Sequence, residues 1–372
     1  MKVLFIGKRF YTNRDALREQ YGRIYQLPSF WAAAGVKTKL WLIDYHSGKA
    51  VQEKAENLEI ESTPVPGFLF LGNWLSQYFT TKDKYDVIVA SGDCYIGLAA
   101  YTLARRARAQ FVFDVYDKYD EFGAYHGLPG FDPFSFLLKR ADIRLFASRT
   151  LMHDLGKADR DILVPNGVDL RRFSPRDKKE SRIELGLPLD MLLVGYFGSI
   201  EPERGVADLI AAVQRLRDEG MNIELLLGGK APADMDVRQP GVRYLGNVPF
   251  ERVPLALSAC DLLAVPYRRS VFMDAGASNK IAEAIACRRP LVATMTPNLA
   301  ANFQLQAQCL DGLLAIAGDP ADLARVIRAQ SERRVLVDMP IGMSWEDISM
   351  NVADRLALCA CSSSGNDGEK RK

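Results

Sequence analysis

Short apolar stretches of strand length recur along the chain and alternate with segments of helical periodicity. In the first half these stretches are KVLFIG, KTKLWLID, DVIVAS, QFVFDVYD, IRLFAS and DILVPNG. The pattern restarts near residue 190 with LLVGYFGS, IELLLGG, VRYLG, LLAVPY, PLVAT and GLLAI. Such alternation is typical of parallel β/α units, whose strands are buried under helices on both faces. The pattern therefore predicts an α/β protein built from two doubly wound sheets.

The segments between the strands predict the helices. The stretch from Ala16 to Gly35 is predicted to be one long helix that Pro28 kinks or splits. VADLIAAVQRLRDEG and PADLARVIRAQ carry apolar residues at helical spacing. Near the C-terminus, MSWEDISMNVADRLALCA predicts a helix capped by Ser344. Its apolar positions are Ile348, Val352, Leu356 and Cys359.

A charged segment interrupted by Pro175 and Pro188 separates the two halves and is typical of a domain connection. The predicted parts are an N-terminal domain, a linker, a C-terminal domain, a final helix and a disordered tail, at 1–168, 169–188, 189–342, 343–360 and 361–372. Ligands bind beyond the carboxyl ends of the strands in doubly wound sheets. Two such domains facing each other predict a cleft that holds the ligands.

Composition excludes several classes of protein. The 372 residues are 48% hydrophobic and 25% charged, with a formal net charge of +2, and no basic run is interleaved with aromatics. This balance argues against nucleic acid as a partner. No apolar run reaches membrane-spanning length and the first apolar stretch is too short for a signal peptide, so we expect a cytoplasmic protein. The six cysteines include no CxxC pair, which argues against zinc and disulfides.

The segment SNKIAEAIACRRPLVAT begins with residues that favour a helix start. Ser278 or Asn279 can cap the free amides of the first turn. Lys280 and Glu283 share a face of this helix that points away from its apolar side. Taken alone, the segment describes an ordinary capped helix with a solvated ion pair.

A second polar segment is GYFGSIEPERGVADL. A strand leads Gly198 and Ser199 into a loop, and Arg204 precedes an amphipathic helix. Glycine lets the backbone approach a ligand, and a cation beside free helix amides suits phosphate. An equally weighted alternative is a strand–loop–helix joint with a surface arginine. The segment contains neither GxGxxG nor GxxxxGK[ST], which argues against dinucleotide and P-loop sites.

The loop after the first strand carries polar side chains at a strand end, where ligand contacts concentrate. They are Arg9, Tyr11, Thr12 and Asn13, and a solvated loop is the alternative. Farther along, Arg105, Arg106 and Arg108 form a basic cluster that suits anionic lipid, with a solvated helix end as its alternative.

The order of four segments carries a resemblance: VPNGVDLRRFSP, GYFGSIEPERGVADLIAAV, VRYLGNVPFERVPLALSACDLLAVPY and SNKIAEAIACRRPLVAT. Together they resemble the family 4 glycosyltransferases, retaining enzymes of the GT-B fold, over most of the chain. The resemblance implies two Rossmann-like domains facing across a cleft. It also implies a nucleotide-sugar donor on the C-terminal domain and an acceptor on the N-terminal domain, to which Arg9, Tyr11, Thr12 and Asn13 are assigned.

The resemblance also assigns roles to residues. The donor diphosphate lies at the start of the NKIAE helix, at Asn279 and Lys280. Glu283 corresponds to the second glutamate of the family's E-x7-E motif and binds the ribose hydroxyls. Arg204 stands where the family carries a phosphate-binding lysine. The full predicted donor set is Gly198, Ser199, Arg204, Asn247, Val248, Asp274, Ser278, Asn279, Lys280 and Glu283, with Asn247 and Val248 at the base.

Three positions depart from the family pattern. Ala275 replaces the first glutamate of E-x7-E, with Asp274 one residue earlier as a substitute carboxylate. Ser199 stands in place of an arginine. Where many members carry a histidine near the sugar, this chain has Tyr116 and Asp117. The predicted catalytic set is Tyr116, Asp117, Arg204 and Lys280.

The resemblance implies a reaction without a protein nucleophile or a cofactor, since the nucleotide-sugar is a co-substrate. Preorganised amides and cations can stabilise the leaving diphosphate without a metal. Asp114 and Asp117 are three residues apart, so on a strand they face opposite sides and form no metal-binding pair. We therefore predict metal independence.

The leading hypothesis is transfer of a sugar from a UDP- or GDP-sugar to a saccharide or lipid-linked glycan in surface polysaccharide biosynthesis, with peripheral contact at the inner face of the membrane. One alternative is a GT-B sugar-nucleotide epimerase. Another is a non-catalytic nucleotide-sugar-binding protein, which the departures at Ala275 and Ser199 suggest. The sequence leaves the donor base, the sugar, the acceptor and the oligomeric state open.

Overall fold

The computed structural model describes residues 1–11, 14–46, 49–65, 84–121, 130–156, 159–233, 235–276 and 278–365. The chain divides into two compact units. The first comprises Met1–Gly167 and Ser344–Lys372, and the second comprises Val168–Met343. Each unit contains a largely parallel sheet covered by helices, so the predicted α/β class is confirmed.

The described strands, in chain order, are β1 (Lys2–Lys8), β2 (Phe10–Tyr11), β3 (Arg14–Asp15), β4 (Lys37–Asp44), β5 (Val51–Lys54), β6 (Leu58–Pro64), β7 (Val87–Ser91), β8 (Gln110–Val115), β9 (Ile143–Phe146), β10 (Asp161–Leu163), β11 (Leu192–Phe197), β12 (Ile223–Gly228), β13 (Val242–Tyr244), β14 (Leu262–Val265), β15 (Leu291–Thr294) and β16 (Leu314–Ala315).

The described helices are α1 (Gly22–Ala33), α2 (Cys94–Ala107), α3 (Pro133–Arg140), α4 (Arg149–Leu155), α5 (Lys178–Glu184), α6 (Val206–Asp218), α7 (Val253–Ala259), α8 (Val271–Ala275), α9 (Asn279–Ala286), α10 (Pro297–Asn302), α11 (Gln304–Cys309), α12 (Pro320–Arg333) and α13 (Trp345–Gly365). Short 3₁₀ turns lie at Tyr119–Glu121, Pro202–Arg204 and Phe250–Arg252. No described helix combines the length and the apolar character that crossing a bilayer requires.

Eight of the described strands form the sheet of the first unit, in the order β10-β9-β8-β7-β1-β4-β6-β5. Neighbours pair in parallel except β5, which runs antiparallel to β6 at the edge. In the centre, Phe5 lies between Leu40 and Val89 in register. These central strands are buried on both faces, which explains their nearly continuous apolar sequences.

The predicted helix from Ala16 to Gly35 is shorter in the structure. Helix α1 begins at Gly22, and turns occupy the residues before it. Gln20 has a left-handed φ of 51°, which interrupts helical geometry ahead of the extended residue Tyr21. Pro28 lies inside α1. The prediction of one long helix is therefore wrong in its N-terminal part.

Strand β5 at the sheet edge and its neighbour β6 were not predicted from the apolar pattern. Their sequences, VQEK and LEIESTP, are largely polar, and most of their side chains are exposed or half-buried. A strand at a sheet edge needs to bury only part of one face, so its hydrophobic signal is weak.

The second unit's described strands form a sheet in the order β13-β12-β11-β14-β15-β16, with every neighbouring pair parallel. Helices α6 and α12 pack on this sheet through Val213, Leu216 and Ile327, which are fully buried or nearly so. The restart of the apolar pattern near residue 190 thus marks a second sheet.

Residues 169–188 belong to the second unit, so their prediction as a linker is corrected. Helix α5 is fastened by Arg182, whose side chain is 2% exposed. The Arg182 guanidinium pairs with Asp261 and donates to the Ala259 carbonyl oxygen at 2.9 Å. Lys178 also pairs with Asp261. The charges that made this segment resemble a linker are therefore the groups that anchor it.

Helix α13 packs into the core of the first unit. Trp345, Ile348, Val352 and Leu356 are buried there together with Phe5 and Trp31. The Trp31 indole donates to the Ser349 carbonyl oxygen at 2.8 Å, and the Ser344 hydroxyl accepts from the Asp347 amide at 3.0 Å. The helix continues to Gly365, which corrects the predicted start of the disordered tail, and residues 366–372 lie outside the described residues.

Candidate functional site

Two cations of the second unit converge on one aromatic side chain. The Lys280 Nζ lies 5.6 Å from the ring centroid of Tyr196 and 6.0 Å from that of Tyr267. The Arg204 guanidinium carbon lies 5.3 Å from the Tyr267 centroid and 6.0 Å from that of Phe272. These distances lie within the range of cation–π attraction. Two residues predicted separately from the sequence are therefore brought to one place.

Arg204 is the last residue of the 3₁₀ turn before α6. Its Nε is buried and has no hydrogen-bond partner among the described residues. The Arg204 Nε forms an ion pair with a Glu201 carboxylate oxygen at 3.5 Å. The guanidinium hydrogen-bonds to Tyr267, but a buried donor atom such as its Nε is costly to leave without a partner, and a ligand oxygen would satisfy it.

Tyr267 was missed by the sequence interpretation. It follows β14 by two residues and is 4% exposed. Its carbonyl oxygen accepts from the Thr294 hydroxyl at 2.6 Å, and its hydroxyl lies 3.2 Å from the Ser278 Oγ. A polar aromatic residue just beyond an apolar strand was the signal that could have identified it.

The two tyrosines beside Lys280 differ in acidity. Burial by itself raises the pKa of the Tyr267 phenol, but the charges of Lys280 and Arg204, together with hydrogen bonds to Ser278 and Arg204, lower that pKa below its ordinary value. Burial dominates at Tyr196 and raises its pKa well above the ordinary value. The Tyr196 hydroxyl donates to the Ser199 carbonyl oxygen at 2.7 Å. The two cations therefore favour the charged form of Tyr267, whereas burial dominates at Tyr196.

Gly198 allows the lysine to lie against the backbone. Its φ is 142°, and a Cβ at this position would come within 2.5 Å of the Lys280 Nζ. Its amide donates to the Gly228 carbonyl oxygen at 2.8 Å. A Cβ on Gly229 would lie 1.8 Å from the Gly198 oxygen. The carboxyl ends of β11 and β12 therefore approach each other more closely than side chains would permit.

The residues predicted to contact the base follow β13, next to these glycines. The Gly229 amide donates to the Gly246 carbonyl oxygen at 2.8 Å. Asn247 is exposed and Val248 is buried. The predicted base contacts and the two cations thus lie at the carboxyl edge of one sheet, which is the edge where ligands bind in this architecture.

The start of α9 differs from the prediction that the side chain of Ser278 or Asn279 caps it. The Ser278 hydroxyl contacts the Tyr267 hydroxyl instead, and makes no hydrogen bond to a helix amide. The Asn279 Oδ1 is buried without a hydrogen-bond partner among the described residues. The positive end of the helix dipole therefore lies beside the Lys280 and Arg204 charges.

The predicted carboxylates have different environments. Asp274 accepts two hydrogen bonds of 2.9 Å from Arg269, and its neighbour Ala275 is 6% exposed. Glu283 is half-buried in α9, and burial together with the Glu283 charge raises the pKa of the Cys287 thiol to about 12. Glu283 lies on the helix that starts at the cations, whereas Asp274, in α8, is held by Arg269 just before that helix.

In the first unit, the predicted acceptor residue Arg9 is 3% exposed. Its guanidinium pairs with Asp15 at 3.0 Å and with Asp44 at 3.1 Å. Arg9 therefore pairs with buried carboxylates and does not present its charge to solvent. This corrects its assignment as an acceptor contact. Thr12 and Asn13 lie outside the described residues.

The other predicted residues of this unit belong to a tyrosine cluster. The ring centroids of Tyr11 and Tyr116 are 5.8 Å apart, and burial raises the pKa of both phenols well above the ordinary value. Asp117 accepts a hydrogen bond from the Lys118 amide. The predicted catalytic set thus falls on both units, with Tyr116 and Asp117 in the first and the two cations in the second.

A buried ion pair beneath this cluster was also missed. Arg23 and Asp114 form two hydrogen bonds of 2.7 and 2.9 Å, and both are at most 1% exposed. Arg23 also donates to the Val164 carbonyl oxygen, and the Ser91 hydroxyl donates to Asp114. The pair satisfies polar groups at the ends of β7, β8 and β10 and so shapes this edge. Among the described residues, no His, Cys, Asp and Glu side chains group as metal ligands.

Known proteins resemble this chain in sequence. Residues 192–332 match the family model described as glycosyl transferases group 1. TuaC of Bacillus subtilis, a glycosyltransferase named for teichuronic acid biosynthesis, is 29% identical over 219 residues, which cover 57% of this chain and 54% of TuaC. The chain spans about half the length of the curated relatives it matches.

Solved structures match nearly the whole chain. Sucrose-phosphate synthase from Thermosynechococcus elongatus superposes with a TM-score of 0.68 at 18% identity, over 99% of both chains. HepE from Anabaena in complex with UDP and glucose superposes with a TM-score of 0.65 at 16% identity, over 99% of this chain and 100% of HepE. The chain has the GT-B fold. In this GT-B chain, the segment that matches the family model contains Gly198, Arg204 and Lys280.

Proposed function

We propose that this chain is a family 4 glycosyltransferase that transfers a sugar, with retention of anomeric configuration, from a UDP- or GDP-sugar to a saccharide or lipid-linked glycan. The observation that carries the proposal is the convergence of Arg204 and Lys280 at the start of α9. Two cations beside free helix amides complement the charge of a diphosphate.

The chemistry follows from where charge develops. As the bond between the anomeric carbon and the diphosphate breaks, negative charge grows on the leaving oxygens. Arg204, Lys280 and the amides of α9 are positioned by the fold before the reaction and stabilise that charge. The acceptor hydroxyl oxygen bonds to the anomeric carbon on the face that the diphosphate leaves. Its proton passes to the leaving phosphate, so no protein nucleophile is required. Glu283, on the same helix, binds the ribose hydroxyls.

The comparisons support the choice of donor and pathway. HepE forms a complex with UDP and glucose, and the name of TuaC refers to biosynthesis of a polymer, teichuronic acid. A role in surface polysaccharide biosynthesis, at the inner face of the membrane, fits both. Arg105, in the basic cluster suggested for lipid contact, pairs with Asp142. The proposed peripheral membrane contact therefore depends on Arg106 and Arg108.

Thermal unfolding with UDP, GDP, ADP and their sugars tests the nucleotide assignment. A ligand at 100 times its dissociation constant stabilises the folded protein by about 2.7 kcal/mol. We expect this stabilisation with UDP or GDP, and its loss in Lys280→Met. Unchanged unfolding temperatures with all three nucleotides would contradict the proposal, and stabilisation by ADP alone would refute the donor assignment.

Transfer is proposed to be independent of metal ions, because the groups that stabilise charge are side chains and amides. Adding EDTA is expected to leave the transfer rate unchanged within about twofold, measured by release of nucleoside diphosphate. A loss of transfer that manganese restores would contradict this prediction.

A non-catalytic nucleotide-sugar-binding protein is the second candidate, and one observation favours it. Ala275 replaces a donor-sugar carboxylate, and its neighbour Asp274 is engaged by Arg269. Sugar-nucleotide binding without transfer to any member of a broad acceptor panel would support this candidate. Transfer to any acceptor would exclude it.

A further inference from the structure

Two like charges at a helix start repel each other unless something separates or neutralises them. Arg204 and Lys280 approach Tyr267 at 5.3 and 6.0 Å from its ring centroid. Tyr267 is 4% exposed, and Thr294 and Ser278 hold it through its carbonyl oxygen and its hydroxyl. The ring is therefore a fixed element on which two longer, flexible side chains rest.

We propose that Tyr267 is a positioning residue of the donor site, which holds Arg204 and Lys280 while the site is empty and yields them to the diphosphate when a nucleotide binds. The proposal rests on the proposed function for the identity of the ligand. The phenol and the diphosphate compete for the same two cations, so Tyr267 makes binding depend on pH.

The charges that face Tyr267 determine the sign of this dependence. Arg204 approaches from the 3₁₀ turn and Lys280 from α9, while Ser278 and the Tyr196 ring are neutral neighbours. Glu201 faces Arg204 at 3.5 Å. Both cations favour the phenolate, in agreement with the lowered pKa of Tyr267. A bound diphosphate adds negative charge beside the phenol and favours its neutral form.

Diphosphate binding is therefore linked to protonation of Tyr267. Below the Tyr267 pKa the phenol is neutral and the cations are available to the ligand. As pH rises through that pKa, the free protein gains a phenolate, and binding requires the phenol to take up a proton. Affinity for the diphosphate therefore falls by up to about tenfold per pH unit above the pKa.

Tyr196 provides a matched control. Its ring also lies beside Lys280, at 5.6 Å from the Nζ, and it is 1% exposed. Its hydroxyl donates to the Ser199 carbonyl oxygen, and its pKa is raised. Removing this hydroxyl alters an equally buried phenol near the same lysine without removing the phenol whose pKa is lowered.

The first experiment measures the dissociation constant of UDP by calorimetry, from about pH 7 to about pH 9.5. The wild type, Tyr267→Phe and Tyr196→Phe are compared, with GDP in place of UDP if GDP binds more tightly. Effects of pH that are common to the three proteins cancel in the comparison, so the readout is the difference between slopes. We expect a shallower slope in Tyr267→Phe only. Equal slopes in Tyr267→Phe and the wild type would overturn the proposal.

The second experiment needs no folded variant and no nucleotide. Wild-type protein at alkaline pH is titrated with inorganic pyrophosphate while the near-ultraviolet absorbance of tyrosinate is recorded. We expect pyrophosphate to decrease this absorbance, because the Tyr267 phenolate takes up a proton. Pyrophosphate binding without such a decrease, or absence of pyrophosphate binding, would overturn the proposal.

The outcomes separate the two proposals. If pyrophosphate decreases the tyrosinate absorbance but no nucleotide binds, the proposed function fails and the role of Tyr267 stands. If UDP or GDP binds with the same pH slope in the wild type and Tyr267→Phe, the role of Tyr267 fails and the proposed function stands.

Discussion

Lys280 shows how much of the candidate site depends on one residue's surroundings. Its ammonium group lies over two tyrosine rings and against the Cα of Gly198, in the space that a side chain at that position would fill. The identity of a lysine at a helix start is readable in the sequence. The direction of its side chain is not, because it depends on a glycine 82 positions earlier in the numbering, from 198 to 280.

Gly198→Ala is expected to weaken binding of UDP or GDP by about tenfold, the loss expected when one charge-assisted contact worth about 1.5 kcal/mol is displaced. The added Cβ would meet the Lys280 Cε at 2.3 Å and push the ammonium group away. Calorimetry of nucleotide binding measures the effect. Gly220→Ala is the matched control, since Gly220 also has a positive φ of 89° but has open space around its Cα. Equal nucleotide affinity in both variants would contradict the prediction.

Glu283→Ala is expected to weaken nucleotide binding by roughly 1.5 to 3 kcal/mol, because the ribose hydroxyls lose a charged acceptor. The protein should remain folded, since Glu283 is half-buried while Ile281 and Ile285 of the same helix fill the core. Glu332→Ala, at an exposed position of α12, is the control. Calorimetry that gives the wild-type affinity for Glu283→Ala would remove this residue from the site.

At the scale of elements, helix α9 combines a predictable feature with an unpredictable one. Its apolar face, including Ile281 and Ile285, follows from helical periodicity and is buried as predicted. Its start was predicted to be capped by a side chain, but the Ser278 hydroxyl contacts Tyr267 instead. The competing partner comes from another element, so local capping rules do not reveal it.

Helix α5 leads to a prediction about acid stability. Burial by itself raises the pKa of Asp261, but the hydrogen bonds from Lys178 and the Leu193 amide, with the charge of Arg182, lower it below its ordinary value. A carboxyl with a lowered folded-state pKa contributes stability above its unfolded value of about 3.9. That contribution is lost as pH falls from there through the folded-state pKa.

Asp261→Asn should therefore be less stable than the wild type at about pH 7 and approach it as pH falls below about 4. At neutral pH the variant leaves Arg182 buried without a charged partner, which costs about 3–5 kcal/mol for a fully buried pair. Urea unfolding across this pH range measures the difference. A constant difference between the two proteins at every pH would show that Asp261 does not contribute through its charge.

At the scale of the whole molecule, the chain leaves the first unit after Gly167 and returns to it at Ser344. Deleting residues 344–372 removes the buried side chains of Trp345, Ile348, Val352 and Leu356 from that unit's core. Each contributes about 1.5–3 kcal/mol by burial. We expect the first unit to unfold at lower urea concentration, and transfer to suffer more than nucleotide binding, which is assigned to the second unit.

A chain ending after Gly365 is the control for this truncation, because it keeps all of the described helix. Urea unfolding, transfer and calorimetric nucleotide binding are compared for the two lengths. Full transfer activity and an unchanged unfolding midpoint in the shorter chain would contradict a structural role for α13.

The sequence by itself determined the buried apolar strands, the presence of two sheets, and the segments that supply Gly198, Arg204 and Lys280. These follow from periodicity and from polar residues at strand ends, which are properties of neighbouring positions. Only the tertiary structure decided that Arg204 and Lys280 both contact Tyr267. Strand β11 pairs directly with β14 and not only with β12, its successor in the chain, so Val194 lies beside Leu262. This non-sequential strand order places the loop of Arg204 beside Tyr267, which follows β14 by two residues. No local sequence pattern encodes such a contact.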